Sequence, residues 1–206
     1  MIWDNVITFE KTIAEFCGSK YGVAVDCCTN GIFLTLKYLS KIQDKCKVEV
    51  PKFTYISVPM AVHHAGYDVV FTDEVWEGGY RLKPYNVYDY AGLLAKNMHV
   101  SGSFSVISFH FKKPISTGRG GMILTDDKCA VDWLMQARYD GRKTYFYNDI
   151  ITQDVNVMGY HMYMTPEQAV RGLEGFYRLN GKDTITARSS DFKVDLSKLS
   201  VFKDAA

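Results

Sequence analysis

No apolar run in this sequence approaches the ~20 residues that a membrane-crossing helix needs, and none of its five cysteines forms a C-x-x-C pair. The first absence argues against a spanning helix. The second excludes zinc ribbons and dithiol oxidoreductases, which need paired thiols at close spacing. Cys17, Cys27, Cys28, Cys46 and Cys129 are irregularly spaced and odd in number, as expected for reduced thiols in the cytoplasm. The adjacent Cys27 and Cys28 are expected to be small buried thiols rather than a redox pair. An excess of one charge is missing as well: 24 Lys and Arg face 23 Asp and Glu, a net +1. That balance gives no attraction to nucleic acid or an anionic membrane. The opening "MIWDNVITFEK" carries charges where a secretory signal would be apolar, so a soluble cytoplasmic protein is expected. There is no internal repeat or low-complexity block. His63 and His64 project about 100° apart on a helix, so they read as structural, and no metal site is expected.

What is present is ordinary globular material: 206 residues, 47% hydrophobic and 23% charged, enough for one well-buried domain. Val6, Phe9, Ile13 and Phe16 recur at helical spacing and stop at Gly18. "YGVAVDC" reads as a strand, "TNGIFLTLKYLSKIQ" as a helix with Thr29 at its N-cap, and "CKVEVP" as a strand closed by Pro51. "YISVPMAVHHAG" is helical and "YDVVFTD" extended. This alternation predicts an α/β fold, a mostly parallel sheet in three layers with helices on both faces. Further along, "EVWEGGYRLKP" reads as a loop, and "YNVYDYAG", "FSVISFH" and "GGMILTD" as strands. "DDKCAVDWLMQARYDG" is a helix ended by Gly141. "TPEQAVRGLEGFYRL" opens with Thr165, Pro166 and Gln168, the spacing of a capping box. The polar residues after Gly181 read as a partial helix or a loosely packed arm.

In open α/β sheets the functional loops follow the carboxyl ends of the strands. Four stretches fall there. "CCTN" offers backbone amides and a hydroxyl at a helix N-terminus, suited to a phosphate. "FTY" offers an aromatic face, "DYAG" a carboxylate and "SFHFKK" a lysine. Phosphate site, flat ring, acid and amine are the parts that hold pyridoxal 5'-phosphate.

The same stretches resemble the DegT/DnrJ/EryC1/StrS group, sugar aminotransferases with the fold-type I pyridoxal-phosphate architecture. "VISFHFKKPISTGRGGMILTDD" is similar to the family's S-F-H-x-x-K followed by T-G-E-G-G. "FEKTIAEFCGSKYGVAVDCCTNGIFLTLKYL", "VPKFTYISVPMAVHHAGYDVVFTD" and "GYHMYMTPEQAVRGL" are similar to three further blocks in family order. The resemblance implies that Lys113 is the Schiff-base lysine and proton carrier, with Lys112 facing solvent. It implies that Asp89 pairs with the pyridine nitrogen and Tyr55 stacks on the ring. Cys28, Thr29, Asn30 and Ser108 would bind the phosphate. His161, at the asparagine of the family's G-Y-N-x-R, would reach the cofactor of a second subunit in a homodimer. His110 and His161 are each open to two readings, a substrate or cofactor contact or simple packing.

Several positions depart from the family. Cys28 replaces the glycine of the S-G-T turn, Gly92 a glutamine or histidine, Arg119 the glutamate of T-G-E-G-G, and Tyr163 the arginine of G-Y-N-x-R. Between Asp73 and Val87 a short loop stands in place of a strand–helix segment, and after Leu179 the small C-terminal domain is largely absent. Residues 1–180 are expected to form the cofactor-binding domain and 181–206 a remnant or arm. The implied activity is transfer of an amino group from glutamate or glutamine to a keto sugar, nucleotide-linked and destined for polysaccharide. The alternative is a degenerate binding or regulatory protein that keeps the fold without turnover.

Overall fold

The computed structural model describes residues 3–143 and 155–203. Its first helix, α1 (Asp4–Cys17), buries Val6, Phe9, Ile13 and Cys17 on one face. Gly18 ends it at φ 80°, and its N–H meets the carbonyls of Ala14 and Glu15; a left-handed residue is how such a helix closes. Strand β1 (Tyr21–Val25) leads into α2 (Cys28–Ile42). The N-cap of α2 is Cys27, whose sulfur accepts from the Asn30 amide. Thr29 is therefore inside the first turn and not at the cap, because the backbone becomes helical two residues earlier than the hydroxyl's position suggests. Strand β2 (Val48–Pro51), helix α3 (Ser57–His64) and strand β3 (Val69–Thr72) form a parallel crossover unit.

The expected loop after β3 contains a short strand, β4 (Tyr80–Arg81), which turns through Leu82–Asn86 into β5 (Val87–Tyr90). After β6 (Leu93–Leu94) come β7 (Phe104–Ser108), β8 (Gly121–Thr125) and α4 (Lys128–Ala137), then α5 (Pro166–Leu179). The capping box at the start of α5 is complete: Thr165 accepts from Gln168, and Gln168 accepts from the Thr165 amide.

The main sheet has the order β1-β8-β7-β5-β4, and β2-β3 pair separately. This corrects the expectation of a mostly parallel sheet. Within it β5 and β7 are parallel, but β1–β8, β7–β8 and β4–β5 are antiparallel. The cause is local. The turns after β7 and β4 contain no helix, so neither can make the crossover that a parallel neighbour requires. The helices do cover both faces. Val106 and Ile123 pack with Ile32 and Leu36 of α2 and Leu134 of α4. Ile107, Met122 and Leu124, pointing the other way, pack with Phe9 and Ile13 of α1 and Ala169 of α5. Strand residues alternate between faces, so both layers are apolar on the sheet side.

The residues after α5 return to the body. Strand β9 (Thr184–Ile185) pairs antiparallel with β6. The Gly78 amide donates to the Ala187 carbonyl, and the Leu196 amide to Lys52. Helix α6 (Ser200–Lys203) sets Phe202 edge-on to Phe71 at 5.4 Å. Residues 204–206 of the expected arm lie outside the described residues. Among the described residues no helix is long and apolar enough to cross a membrane.

Candidate active site

Strands β1, β5 and β7 run in one direction, and their carboxyl ends open on a cavity of about 380 Å³. That volume is in the range of small-molecule sites. Cys28, Thr29, Tyr55, Asp89, Ser108, His110 and Lys113 all line it. Asn30 and His161 do not. The Asn30 amide is turned to the carboxylate of Asp26, at 2.8 and 3.0 Å. His161 is exposed, with Nδ1 3.1 Å from Asp140 Oδ1, and packs edge-on to Tyr163.

The turn after β7 aims Lys113. The Phe109 amide donates to Gly120 and Thr117 to Phe109, while Lys113's own amide closes on His110 at 2.8 Å. Lys113 is half-buried and its Nζ is 3.5 Å from Thr186 Oγ1. Burial pulls its ammonium below the ordinary lysine range, with Cys28 and Asp89 opposing that pull. A larger neutral fraction is what an amine needs to attack a carbonyl. Lys112 is exposed, its ammonium 5.7 Å from the Phe111 ring centre.

Asp89 is 4% exposed. Its Oδ2 accepts from the Tyr80 phenol at 2.8 Å and its Oδ1 from the Ala91 amide at 2.9 Å. The Cys28 thiol approaches Oδ1 at 3.8 Å. Burial raises the Asp89 carboxyl above its ordinary range, while the Ala91, Tyr80 and Cys28 hydrogen bonds and the Lys113 charge oppose the rise. The Cys28 thiol itself is pushed up, first by burial and then by Asp89.

At the head of α2, the amides of Cys28 and Thr29 have no acceptor within the helix, by helix geometry. Thr29 Oγ1 and Ser57 Oγ are 2.7 Å apart, so two hydroxyls flank those amides. Cys28 fits where the family has glycine because its backbone is helical; the left-handed residues lie elsewhere. Gly121, across from it, is the glycine the turn requires. A Cβ there would stand 2.5 Å from the Cys28 nitrogen. Arg119 pairs with Asp26 at 2.9 Å beside this turn.

Tyr55 is on the rim and 63% exposed. The walls opposite include residues that sequence reasoning missed: Thr54, Ser57, Trp76, Tyr80 and Phe192. Trp76 is fixed by donating from Nε1 to the Phe53 carbonyl at 3.0 Å. A hairpin signal was present for Tyr80, since Pro84 and Asn86 lie between two short β-prone runs; the register then sets Tyr80 opposite Asp89. Gly92 also has a physical reason. A Cβ there would meet the Gly78 carbonyl at 2.8 Å and Ala187 Cβ at 2.9 Å. The returning C-terminal segment occupies the space that a side chain at this position would need.

The DegT/DnrJ/EryC1/StrS aminotransferase family model matches residues 3–87 and 89–193. The spore coat polysaccharide biosynthesis protein SpsC of Bacillus subtilis is 26% identical over 85% of this chain, which spans 57% of that protein's length. A sugar aminotransferase from Micromonospora echinospora superposes with a TM-score of 0.70 at 18% identity, covering 85% of this chain and 61% of the other. Helicobacter pylori PseC, an aminotransferase involved in the biosynthesis of pseudoaminic acid, gives 0.67 at 20% identity over 85% and 58%. The fold is thus that of these enzymes over about three-fifths of their length.

Proposed function

The chain belongs to the DegT/DnrJ/EryC1/StrS aminotransferase family, and from that premise we propose that it is a pyridoxal-phosphate-dependent sugar aminotransferase. The observation that carries this is the meeting of a half-buried lysine and a buried carboxylate in one cavity at a helix N-terminus. The donor set fits the cofactor. The α2 amides with Thr29, Ser57 and Ser108 suit the phosphate, Asp89 suits a protonated ring nitrogen, Tyr55 offers a face, and Lys113 is the amine. When bound, the cofactor supplies an electron-poor ring that stabilises a carbanion. Lys113 holds the cofactor and moves the proton at the reacting carbon. Asp89 keeps the ring nitrogen protonated. Trp76 and Phe192 give that side of the cavity an apolar ring surface.

The amino donor is glutamate or glutamine and the acceptor a keto sugar, nucleotide-linked, as the family reading implies. Residues 1–180 form the cofactor-binding unit and 181–206 a remnant or arm. The active form is a homodimer in which the exposed His161 reaches the second subunit's site.

The test is direct. After incubation with pyridoxal phosphate and removal of the unbound cofactor, the protein should retain a visible absorbance band, and borohydride should fix the cofactor on Lys113, as located by peptide mass. Lys113→Ala should give no cofactor fixed at that position. A wild-type protein that stays colourless refutes the proposal.

A second reading is a cofactor-binding protein without turnover. It is favoured by Gly92, where the packing leaves no room for the family's polar side chain. Adding glutamate and, separately, glutamine to the loaded protein separates the two: bleaching of the visible band by either supports a transaminase, and a spectrum unchanged by both supports the binding protein.

A further inference from the structure

The segment between β3 and β5 places a phenol inside the site. Tyr80 is on β4, directly opposite Asp89 on β5. Residues opposite one another in an antiparallel pair present their side chains on the same face. Tyr80 and Asp89 are each 4% exposed, and both line the cavity. The phenol donates to Asp89 Oδ2 at 2.8 Å and is 2.7 Å from Thr54 Oγ1, which is also buried. With the phenol proton committed to the carboxylate, the threonine hydroxyl donates to the phenol. The result is a chain of two hydrogen bonds, Thr54 to Tyr80 to Asp89, in which each bond polarises the next.

We infer that Tyr80 is a positioning residue for the cofactor's ring nitrogen, acting through Asp89: its phenol keeps the buried carboxylate ionised and aimed into the cavity. The inference rests on the pyridoxal-phosphate reading above. A carboxylate this deeply buried favours its neutral form unless donors hold the charge. The groups facing it are few: the Ala91 amide from its own strand end, the Cys28 thiol from α2, Lys113 from the turn after β7, and Tyr80 from β4. Cys28 is a weak and distant donor at 3.8 Å. The amide occupies Oδ1, so Tyr80 is the donor that orients Oδ2. A neutral carboxyl could not form an ion pair with a protonated ring nitrogen, and the cofactor would lose that anchor.

The experiment compares cofactor affinity of the wild type, Tyr80→Phe and Thr54→Val from acid to alkaline pH, read by fluorescence quenching of the apoproteins on titration with pyridoxal phosphate. Titration of free pyridoxal phosphate cancels in the ratio between proteins. Tyr80→Phe should bind roughly tenfold more weakly than wild type on the acid side, the scale of one lost hydrogen bond to a charged group. The ratio should close as the pH rises and Asp89 ionises in both proteins. Thr54→Val should shift the same profile in the same direction by less, and it carries the test if Tyr80→Phe does not fold. A ratio that is the same at every pH assigns Tyr80 to packing and overturns the inference. If the wild type takes up the cofactor on Lys113 and its pH profile is unmoved by either substitution, the inference alone falls. If the wild type takes up no cofactor, both the inference and the cofactor reading fall.

Discussion

Lys112 and Lys113 are neighbours in sequence and both line the cavity, Lys112 exposed and Lys113 half-buried; it is the resemblance to S-F-H-x-x-K that singles out Lys113. Other single residues were hidden. His99 carried no signal in the sequence, yet its side chain is almost wholly buried, with Nδ1 3.1 Å from Ser105 Oγ and Nε2 3.5 Å from Asp126. Burial lowers its pKa below the usual 6.5, and Asp126 opposes the shift only in part. The folded state therefore binds fewer protons than the unfolded chain, so stability is full above about pH 6.5 and falls as the pH drops below it. Thermal melts at successive pH values should show this decline, and His99→Gln should flatten it. The cysteines give a second residue-scale prediction. Cys46 and Cys129 are exposed, Cys28 is buried, and the Cys17 thiol is pushed up to about 12 by burial. A thiol reagent should label Cys46 and Cys129 in the native protein and reach Cys17 and Cys28 only after denaturation.

At the scale of elements, the long helices were legible because a 3.6-residue period repeats several times within each. Strands β4, β6 and β9 are two residues each and have no period to read. Strand direction was not legible either, since it depends on whether a crossover fits between neighbours. Arg138 was equally silent, lying inside the predicted helix "DDKCAVDWLMQARYDG" with nothing in the sequence to single it out. In the fold it is fully buried at the end of α4, and its guanidinium donates to Glu10 of α1 and to the Ala24 carbonyl of β1. It ties two helices and an edge strand together. Arg138→Met would leave Glu10 buried without its cation, and should cost about 3–5 kcal/mol in a denaturant titration. The contact of α5 with α1 is similarly close. A Cβ on Gly172 would stand 2.5–2.8 Å from the Phe9 ring. Gly172→Ala should therefore destabilise by about 1–3 kcal/mol through overpacking, despite the better helix propensity of alanine.

At the scale of the whole molecule, the residues after Gly181 were read as a partial helix or a loosely packed arm, and residues 182–203 contribute to both packing and site. Ala187 and Phe192 form part of the cavity wall, and Leu196 and Phe202 are buried. A chain ending at Lys182 should melt at lower temperature, losing about 1.5–3 kcal/mol for each of those two buried side chains. It should also bind pyridoxal phosphate more weakly, as calorimetry would show. Composition could not reveal this, because the segment's apolar residues are scattered among polar ones and find partners only in distant elements.

The two-residue strand β4 is an edge of the main sheet, and beyond it the Glu49 amide of the β2-β3 pair donates to the Lys83 carbonyl at 2.8 Å. The cavity straddles this junction. Thr54 and Tyr55 are mounted on the β2 side, Ser108 and Lys113 on the β7 side, and Tyr80 and Asp89 on the joint itself. Whatever enters the cavity is thus held between residues carried by two separately paired sheets.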